Sequence, residues 1–558
     1  MDATEQQRLR QPVLPAGVPS PWQDTPAVPL PLLGQLLRFS AAVFAAVAIV
    51  IVAGRSEHPI TAMSAGPFVT FVSLTVPPAA GLVAAFALYR PWRALLVIVA
   101  LTPFWNSAYV SWQIGSVQVI LQTVFVLALA LGAVTTRPNR GTFLWSAADL
   151  SAAGRAKGFA AFRLAEVAAA GLIGIAILST LASHNIGLSS PVLMHGVLEP
   201  IAIAAIIVYL RPTRRDLVAL AVVLSVSVGL GTVLNVIQTL PTTTSFAEMQ
   251  AQRLLFARAS FYNVGLFAAV AAMTVPLVVA ALAWRRALPL PRWASNLMAV
   301  ALAAGLGGLF FSLSKSAWIA TGVGTMLVLL LMARNWRRRI ALIVAGMAVS
   351  TMFIPWPAFV LQVSPSLDNS YRSVMVTLVG ESRFDSWNPA TLAGRGSMTE
   401  RFYAADAAVQ MAFNNPILGV GLDQFGVNYW SPAYRPAQAL NALDHAHSFF
   451  PEVAAELGLV AAVLVFVIYA ASLWALWRVY KSARDQLTRL LAAGLMASIV
   501  AWLVVATAYG CDIYRTSRDL SSDVVASAIV LGAAIALART VHAEKPWRPS
   551  QPTRIVAE

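Results

Sequence analysis

Charge is what this sequence has least of. Of its 558 residues only 11% are Asp, Glu, Lys or Arg, against ~25% in an ordinary soluble chain. Acids are the scarcer kind, 24 against 39 Lys and Arg. There are too few polar side chains to cover a water-soluble particle of this size, which excludes a soluble globular enzyme, a disordered chain and a nucleic-acid-binding module. Cysteine is nearly absent as well: with Cys511 alone, no internal disulfide can staple the fold. Also missing are an internal repeat, a glycine-rich phosphate cradle and an HExxH metal motif.

What fills the chain is apolar: 58% of it belongs to AVILMFWYC, and its mean hydropathy is +0.71. A spanning helix needs ~20 mostly apolar residues. Candidate runs lie at 39–53, 67–88, 94–110, 117–134, 164–181, 192–210, 217–236, 264–284, 294–313, 317–332 and 340–359, and three more close the chain at 457–476, 490–508 and 524–537. Pro103 and Pro355 interrupt two of them. The expected fold is therefore all-α, a polytopic integral membrane protein with 12–14 transmembrane helices. Residues 1–31, polar and proline-rich, read as a disordered cytoplasmic tail, 32–361 as a transmembrane bundle, 362–446 as a large external loop with amphipathic helices, 447–540 as C-terminal spans and 541–558 as a second cytoplasmic tail.

Orientation follows from the basic residues. With alternating spans and an internal N-terminus, the outside holds 11 of the 39 Lys and Arg and the inside the remaining 28. That is the positive-inside bias, with both termini cytoplasmic. The basic residues kept outside run against this bias, so another force is expected to hold them there. They concentrate at Arg253 and Arg258, at Lys315, and in the loop that carries Arg395, Arg401 and Arg435.

Four constellations carry candidate chemistry. In the loop, Ser397-Met398-Thr399-Glu400 has the form of a capping box. Phe402, Ala405, Val409 and Phe413 recur at helical spacing, and Asn415-Pro416 ends the run before a Gly419-Val420-Gly421 turn. The expected helix of about 17 residues places Arg395 before its start and Arg401 in its first turn. A helix start attracts anions, and arginine offers a bidentate fork for phosphate; the simpler alternative is that Arg401 pairs with Glu400 or a headgroup. The second constellation is Asp444-His445-Ala446-His447-Ser448, followed by Glu452, Glu456 and Gly458. A neutral imidazole here can take a proton from a hydroxyl. The rivals are a structural pair and a metal site; against the latter, the two histidines would lie ~200° apart on a helix with no further ligand at a recognisable spacing. The third, Ser314-Lys315-Ser316-Ala317-Trp318, sets a lone cation at an outer span boundary, where snorkelling is the plain account and a phosphate contact the functional one. Fourth is Arg258-Ala259-Ser260-Phe261-Tyr262-Asn263. Inside the membrane, His195 and Glu199 stand one helical turn apart, either a functional site or a satisfied interhelical pair.

These strings together resemble the O-antigen ligase and Wzy-type polysaccharide polymerase superfamily. Arg401-x14-Pro416-Ile417-Leu418-Gly419-Val420-Gly421-x3-Phe425 is similar to its external-loop signature, as is His447-Ser448-x7-Glu456-x-Gly458. Ser314-Lys315-Ser316-Ala317-Trp318 is similar to a span start in which members usually carry Arg. Ser448 stands where members commonly have Asn, and Ala405 where many have Trp. The resemblance implies a multi-span, metal-independent, cofactor-free glycosyltransferase. It would move a polyprenyl-diphosphate-linked glycan onto the hydroxyl of a glycan or other envelope acceptor at the external face of a bacterial inner membrane. His447 would be the general base, Arg401 and Lys315 with Arg258 and Arg395 would bind the diphosphate, and Asp444, His445 and Glu456 would support them. A secondary transporter is the alternative from another class, kept open by His195 and Glu199, and a scaffold for envelope synthesis is a third.

Overall fold

The structure is a computed structural model that describes residues 79–104, 111–114, 117–136, 159–239, 264–283, 285, 291–312, 314–333, 335, 337–342, 344, 397–434, 443, 445–507 and 522–543. Two short apolar helices come first, α1 (Ala79–Tyr89) and α2 (Pro91–Ala100). A β-hairpin, β1 (Ser111–Ile114) with β2 (Val117–Ile120), precedes α3 (Leu121–Thr136). Then follow α4 (Phe159–Ala182), α5 (Ile186–Leu210), α6 (Arg214–Thr239), α7 (Val264–Ala283), α8 (Arg292–Ser312) and α9 (Lys315–Met332). After the loop come α10 (Ser397–Asn414), α11 (Phe425–Tyr429), α12 (Phe449–Leu457), α13 (Leu459–Ser482), α14 (Gln486–Val505) and α15 (Ser522–Ala543).

Among the described residues, eight helices are long and apolar enough to cross a membrane, and four shorter apolar ones accompany them. The protein is an all-α polytopic membrane protein, with one departure in the hairpin. Its strands oppose Gln113 to Gln118 and Trp112 to Val119. The run expected as a helix from Val117 instead alternates as a strand to Ile120 and turns helical at Leu121. Likewise the run from Ala94 stops being helical at Ala100 and tightens into a 3-10 turn around Pro103, since proline cannot continue the helical hydrogen-bond ladder. The expected spans at 39–53 and 340–359 lie wholly or largely outside the described residues, as do both tails and the loop stretch 362–396.

Helix α7 is the axis of the bundle. It packs against α6, α8, α9, α14 and α15, and its side chains from Leu266 to Ala281 are almost all buried. Lipid tails are as apolar as leucine, so close packing rather than hydrophobicity brings spans together, and small residues sit at the contacts. At Gly324 of α9 a Cβ would come within 2.7 Å of Pro276 Cγ on α7 and 3.0 Å of the Ala497 carbonyl on α14. Large apolar side chains at the periphery, among them Val167, Leu181, Val463 and Phe466, are exposed, as a lipid-facing surface requires.

Helix α5 changes pitch between Leu193 and Leu198, where it is π-helical. Prolines flank the change at Pro191 and Pro200; each lacks an N–H and disturbs the ladder one turn away.

Two contacts define the ends of the bundle. Phe449, at the start of α12, packs on Trp502 near the end of α14 at 5.0 Å between ring centres. At the opposite end the Tyr480 hydroxyl of α13 donates to the Leu331 carbonyl of α9. Since α9 ends there, its first residue, Lys315, lies about 24 Å away from Leu331 at 1.5 Å per residue, at the same end as α12.

Candidate active site

At that end, α10, α11, α12 and the segment before α12 form one packed unit. Ala404, Ala407, Ala408 and Met411 of α10 are fully buried together with Phe425, Tyr429, Ala446 and Ala455. This corrects the amphipathic reading of α10. Val409 and Phe413 of the expected apolar stripe are exposed, and the alanine stripe opposite them is the packed face. Alanine lets the helix approach its neighbours closely, whereas the larger apolar residues can remain in an apolar surrounding at little cost. Arg401, half-buried, lies on the margin of the packed stripe, three residues before Ala404 and seven before Ala408.

The Pro416–Phe425 turn is joined to the end of α12 mainly through main-chain atoms. Val420 N–H donates to the Ala455 carbonyl at 2.8 Å, Gly421 N–H to the Glu456 carbonyl at 3.1 Å, and Leu459 N–H to the Pro416 carbonyl at 2.8 Å. The first two satisfy carbonyls that a helix end leaves without an internal partner. Such close backbones exclude side chains: a Cβ at Gly419 would lie 2.2 Å from the Glu456 carbonyl carbon, and one at Gly458 2.4 Å from the Ile417 carbonyl oxygen. Both glycines also have positive φ, 65° and 90°, open to glycine without the usual Cβ penalty.

Glu456 closes the same joint with its side chain. The carboxylate is 1% exposed and accepts from Asp423 N–H and Phe425 N–H, both at 3.0 Å, so it caps the start of α11 from a distant part of the chain. Burial, helped by the neighbouring Asp423 charge, pushes its pKa up to about 8 against the pull of those backbone N–H groups. Removal from water outweighs two hydrogen bonds because the charged form loses its hydration entirely. Glu452, one turn earlier on α12, is equally buried.

Sequence reading missed the third partner of this joint, the hairpin between α4 and α5. The Ser179 hydroxyl lies 2.8 Å from the Leu418 carbonyl and 2.9 Å from the Glu456 carbonyl, with one proton to share between them. Ser189 is 2.5 Å from the Leu422 carbonyl and 2.8 Å from Ser183 Oγ. Three serines within eleven positions of an apolar hairpin were the available signal.

His445 and His447 flank the buried Ala446. They precede α12 rather than lie on it, so the expected ~200° separation on a helix does not apply; their ring centres are 3.9 Å apart at an interplanar angle of 53°. His445 is buried and His447 half-buried. His447 has φ 51°, a left-handed conformation that costs roughly 1–2 kcal/mol in a non-glycine residue. It is held there from both sides, by Ala446 in the packed unit and by Phe449, which packs edge-on against Trp502 and Tyr469.

The structure thus brings Arg401, His445, His447 and Glu456 onto one unit. Lys315, described by its backbone, opens α9 at the same end; around it Ser314 Oγ lies 3.3 Å from Ser316 Oγ, and Trp318 Nε1 donates to the Leu309 carbonyl at 2.7 Å. Arg258, Arg395 and Asp444 lie outside the described residues. Inside the bundle, His195 Nδ1 sits 3.1 Å from Glu199 Oε1, and Glu199 also accepts from Gln122 Nε2 at 2.8 Å and from the Thr123 hydroxyl. This network spans α3 and α5, as a satisfied interhelical group would.

A helical bundle crossing the membrane several times defines a multi-pass membrane protein, and one of its ends carries loop helices, a half-buried arginine and a fixed histidine pair as a candidate site. Residues 298–466, from within α8 to within α13, match the family described as O-antigen ligase. A match over this segment supports a glycan ligase- or polymerase-like function of the glycosyltransferase type. No curated protein matches the chain.

Proposed function

We propose that this protein transfers a glycan from a polyprenyl diphosphate to an acceptor hydroxyl at the external face of a bacterial inner membrane, with both termini cytoplasmic. The observation that carries the proposal is the packing of Ala446, flanked by both histidines, into the same cluster as the α10 stripe that Arg401 borders. The acceptor oxygen attacks the anomeric carbon, the bond from that carbon to the diphosphate oxygen breaks, and the acceptor proton passes to His447. The polyprenyl diphosphate leaves with the electron pair.

Arg401 and Lys315, with Arg258 and Arg395, neutralise the charge that develops on the leaving group. That is the task a divalent cation performs in other transferases, so this reaction runs without metal or cofactor. Cations placed in advance beside a low-dielectric bilayer stabilise such charge strongly. His445, buried behind His447, and Asp444 orient the base, while Glu456 acts at one remove by holding the turn against α12. The transporter alternative loses its main support, because the Glu199 carboxylate is already occupied by three partners on neighbouring positions.

The test is transfer from a purified lipid-linked glycan in proteoliposomes. We expect activity with chelator present, its loss in His447→Ala, and retention of donor binding in that variant. Wild-type turnover by His447→Ala, or abolition of activity by chelator, would overturn the assignment. Single cysteines placed at Asn441 and Ser482 test the orientation: the first should label from outside intact cells and the second should not.

A further inference from the structure

At the end of the bundle opposite the histidines, Arg163, Arg211 and Arg539 gather around Glu166 among the described residues. Arg539, near the end of α15, is ion-paired with Glu166 near the start of α4. Helices α5 and α15 run side by side in the same direction, touching where Gly532 faces Ala204 and Ile207. Seven residues beyond Gly532 stands Arg539, and seven beyond Ala204 stands Arg211, so the two guanidinium-bearing positions are level. Arg163 lies one turn before Glu166 on α4, and both Arg163 and Arg211 bear electrostatically on Arg539. Arg214, nearby in sequence, is already bridged to Asp485 at 3.5 Å.

Two further observations point to a ligand at this cluster. Arg211 follows α5 with φ 49°, a position where glycine is the residue that fits without penalty; a strained arginine there is accounted for if its guanidinium is needed. Beside Arg163 and Glu166, Leu164 and Val167 of α4 are exposed, giving an apolar wall that runs away from the charges.

We infer that Arg163, Arg211 and Arg539 form a binding site for the phosphate of an anionic phospholipid in the leaflet away from the histidines, with its acyl chain along Leu164 and Val167. Basic groups between spans at a membrane surface bind anionic headgroups in this manner. Arg539 stays engaged with Glu166, and the lipid bridges α4 to α5 and α15.

Native mass spectrometry of the full chain released from membranes containing phosphatidylglycerol and phosphatidylcholine tests this. The wild type should retain phosphatidylglycerol in preference to phosphatidylcholine. Arg163→Gln/Arg211→Gln should weaken that retention about 25-fold, roughly fivefold for each arginine. Arg337→Gln/Arg338→Gln, exposed basic residues in the helical segment just after α9, should not change it. Arg211→Gly guards against misfolding: it relieves the left-handed strain, so the protein should stay as thermally stable as the wild type in pure phosphatidylcholine while losing about fivefold in phosphatidylglycerol retention. Equal retention by all variants, or equal loss in the Arg337/Arg338 variant, would overturn the site. Displacement of the lipid by millimolar inorganic phosphate would assign the cluster to a free anion instead.

Discussion

At one end of the bundle the Pro416–Phe425 turn, α12 and the α4–α5 hairpin are joined through main-chain carbonyls and N–H groups, whereas at the other end helices meet through the long side chains of Arg539, Arg214, Glu166 and Asp485. The two joints hold position with different stiffness. A backbone lace has no rotamers to lose and fixes its neighbours to tenths of an ångström, the tolerance a near-attack geometry demands. An arginine at the membrane edge adapts to what approaches it and contributes little by itself. The rigid end is where a reacting group is useful; the compliant end suits a headgroup.

If that contrast is right, perturbations at the two ends should differ in size. The largest effect is expected from His447→Ala, a loss of about 100- to 10,000-fold in turnover, the range of a positioned base, with unchanged thermal unfolding. His445→Ala should cost far less in the same assay. Next comes Gly419→Ala. A methyl 2.2 Å from the Glu456 carbonyl carbon must separate the turn from α12, at a cost on the order of 3 kcal/mol from overpacking and positive φ together. Limited proteolysis should then open the 416–425 turn while the spans stay protected.

Glu456 sharpens the comparison through pH. Its carboxyl titrates at about 8 in the fold, up from the ordinary 4.5, so the folded protein holds this proton over a window in which the unfolded chain has released it. Stability from this group is therefore full below pH 4.5 and lost as the pH rises to 8. Thermal unfolding of the wild type should decline across that interval, and Glu456→Gln should flatten the decline while lowering stability throughout, since an amide offers one acceptor to two N–H donors. A wild-type profile that rises over the same interval would refute the assignment. The smallest effect is reserved for the far end: Asp485→Asn removes the 3.5 Å bridge to Arg214, whose acid is 45% exposed, and should change stability by no more than ~1 kcal/mol, with transfer unchanged.

The candidate residues were legible along the chain. Asn415-Pro416 announced a helix end and Gly419-Val420-Gly421 a turn, and Arg401, His447, Glu456 and Gly458 stood at the spacing of the resembled family. What could not be read was which of these strings touch. Gly419 and Glu456 are far apart in sequence, and only the fold reveals that the glycine is needed because the Glu456 main chain lies against it. The α10 stripe was misjudged for a related reason. Hydrophobic periodicity finds the buried face of a helix in water, but beside a membrane both faces tolerate apolar side chains, and small size marks the packed one. Strand β2 of the hairpin was hidden at the start of the 117–134 apolar run by the same loss of contrast.

By itself the sequence determined the environment and the cast. Its scarcity of charge requires a membrane, its long apolar runs require helices, because a backbone in lipid must satisfy its own hydrogen bonds, and its few ionisable residues are the ones available for chemistry. The tertiary structure alone decided their relations: that Glu456 caps α11, that Ser179 and Ser189 of a distant hairpin hold the 418–422 turn, that the rings of His445 and His447 lie 3.9 Å apart, and that Arg211 and Arg539 stand level. Helix formation is local and follows from composition over a few turns. Contacts between helices depend on the shapes that two distant surfaces present at once, and no single segment of the chain contains that information.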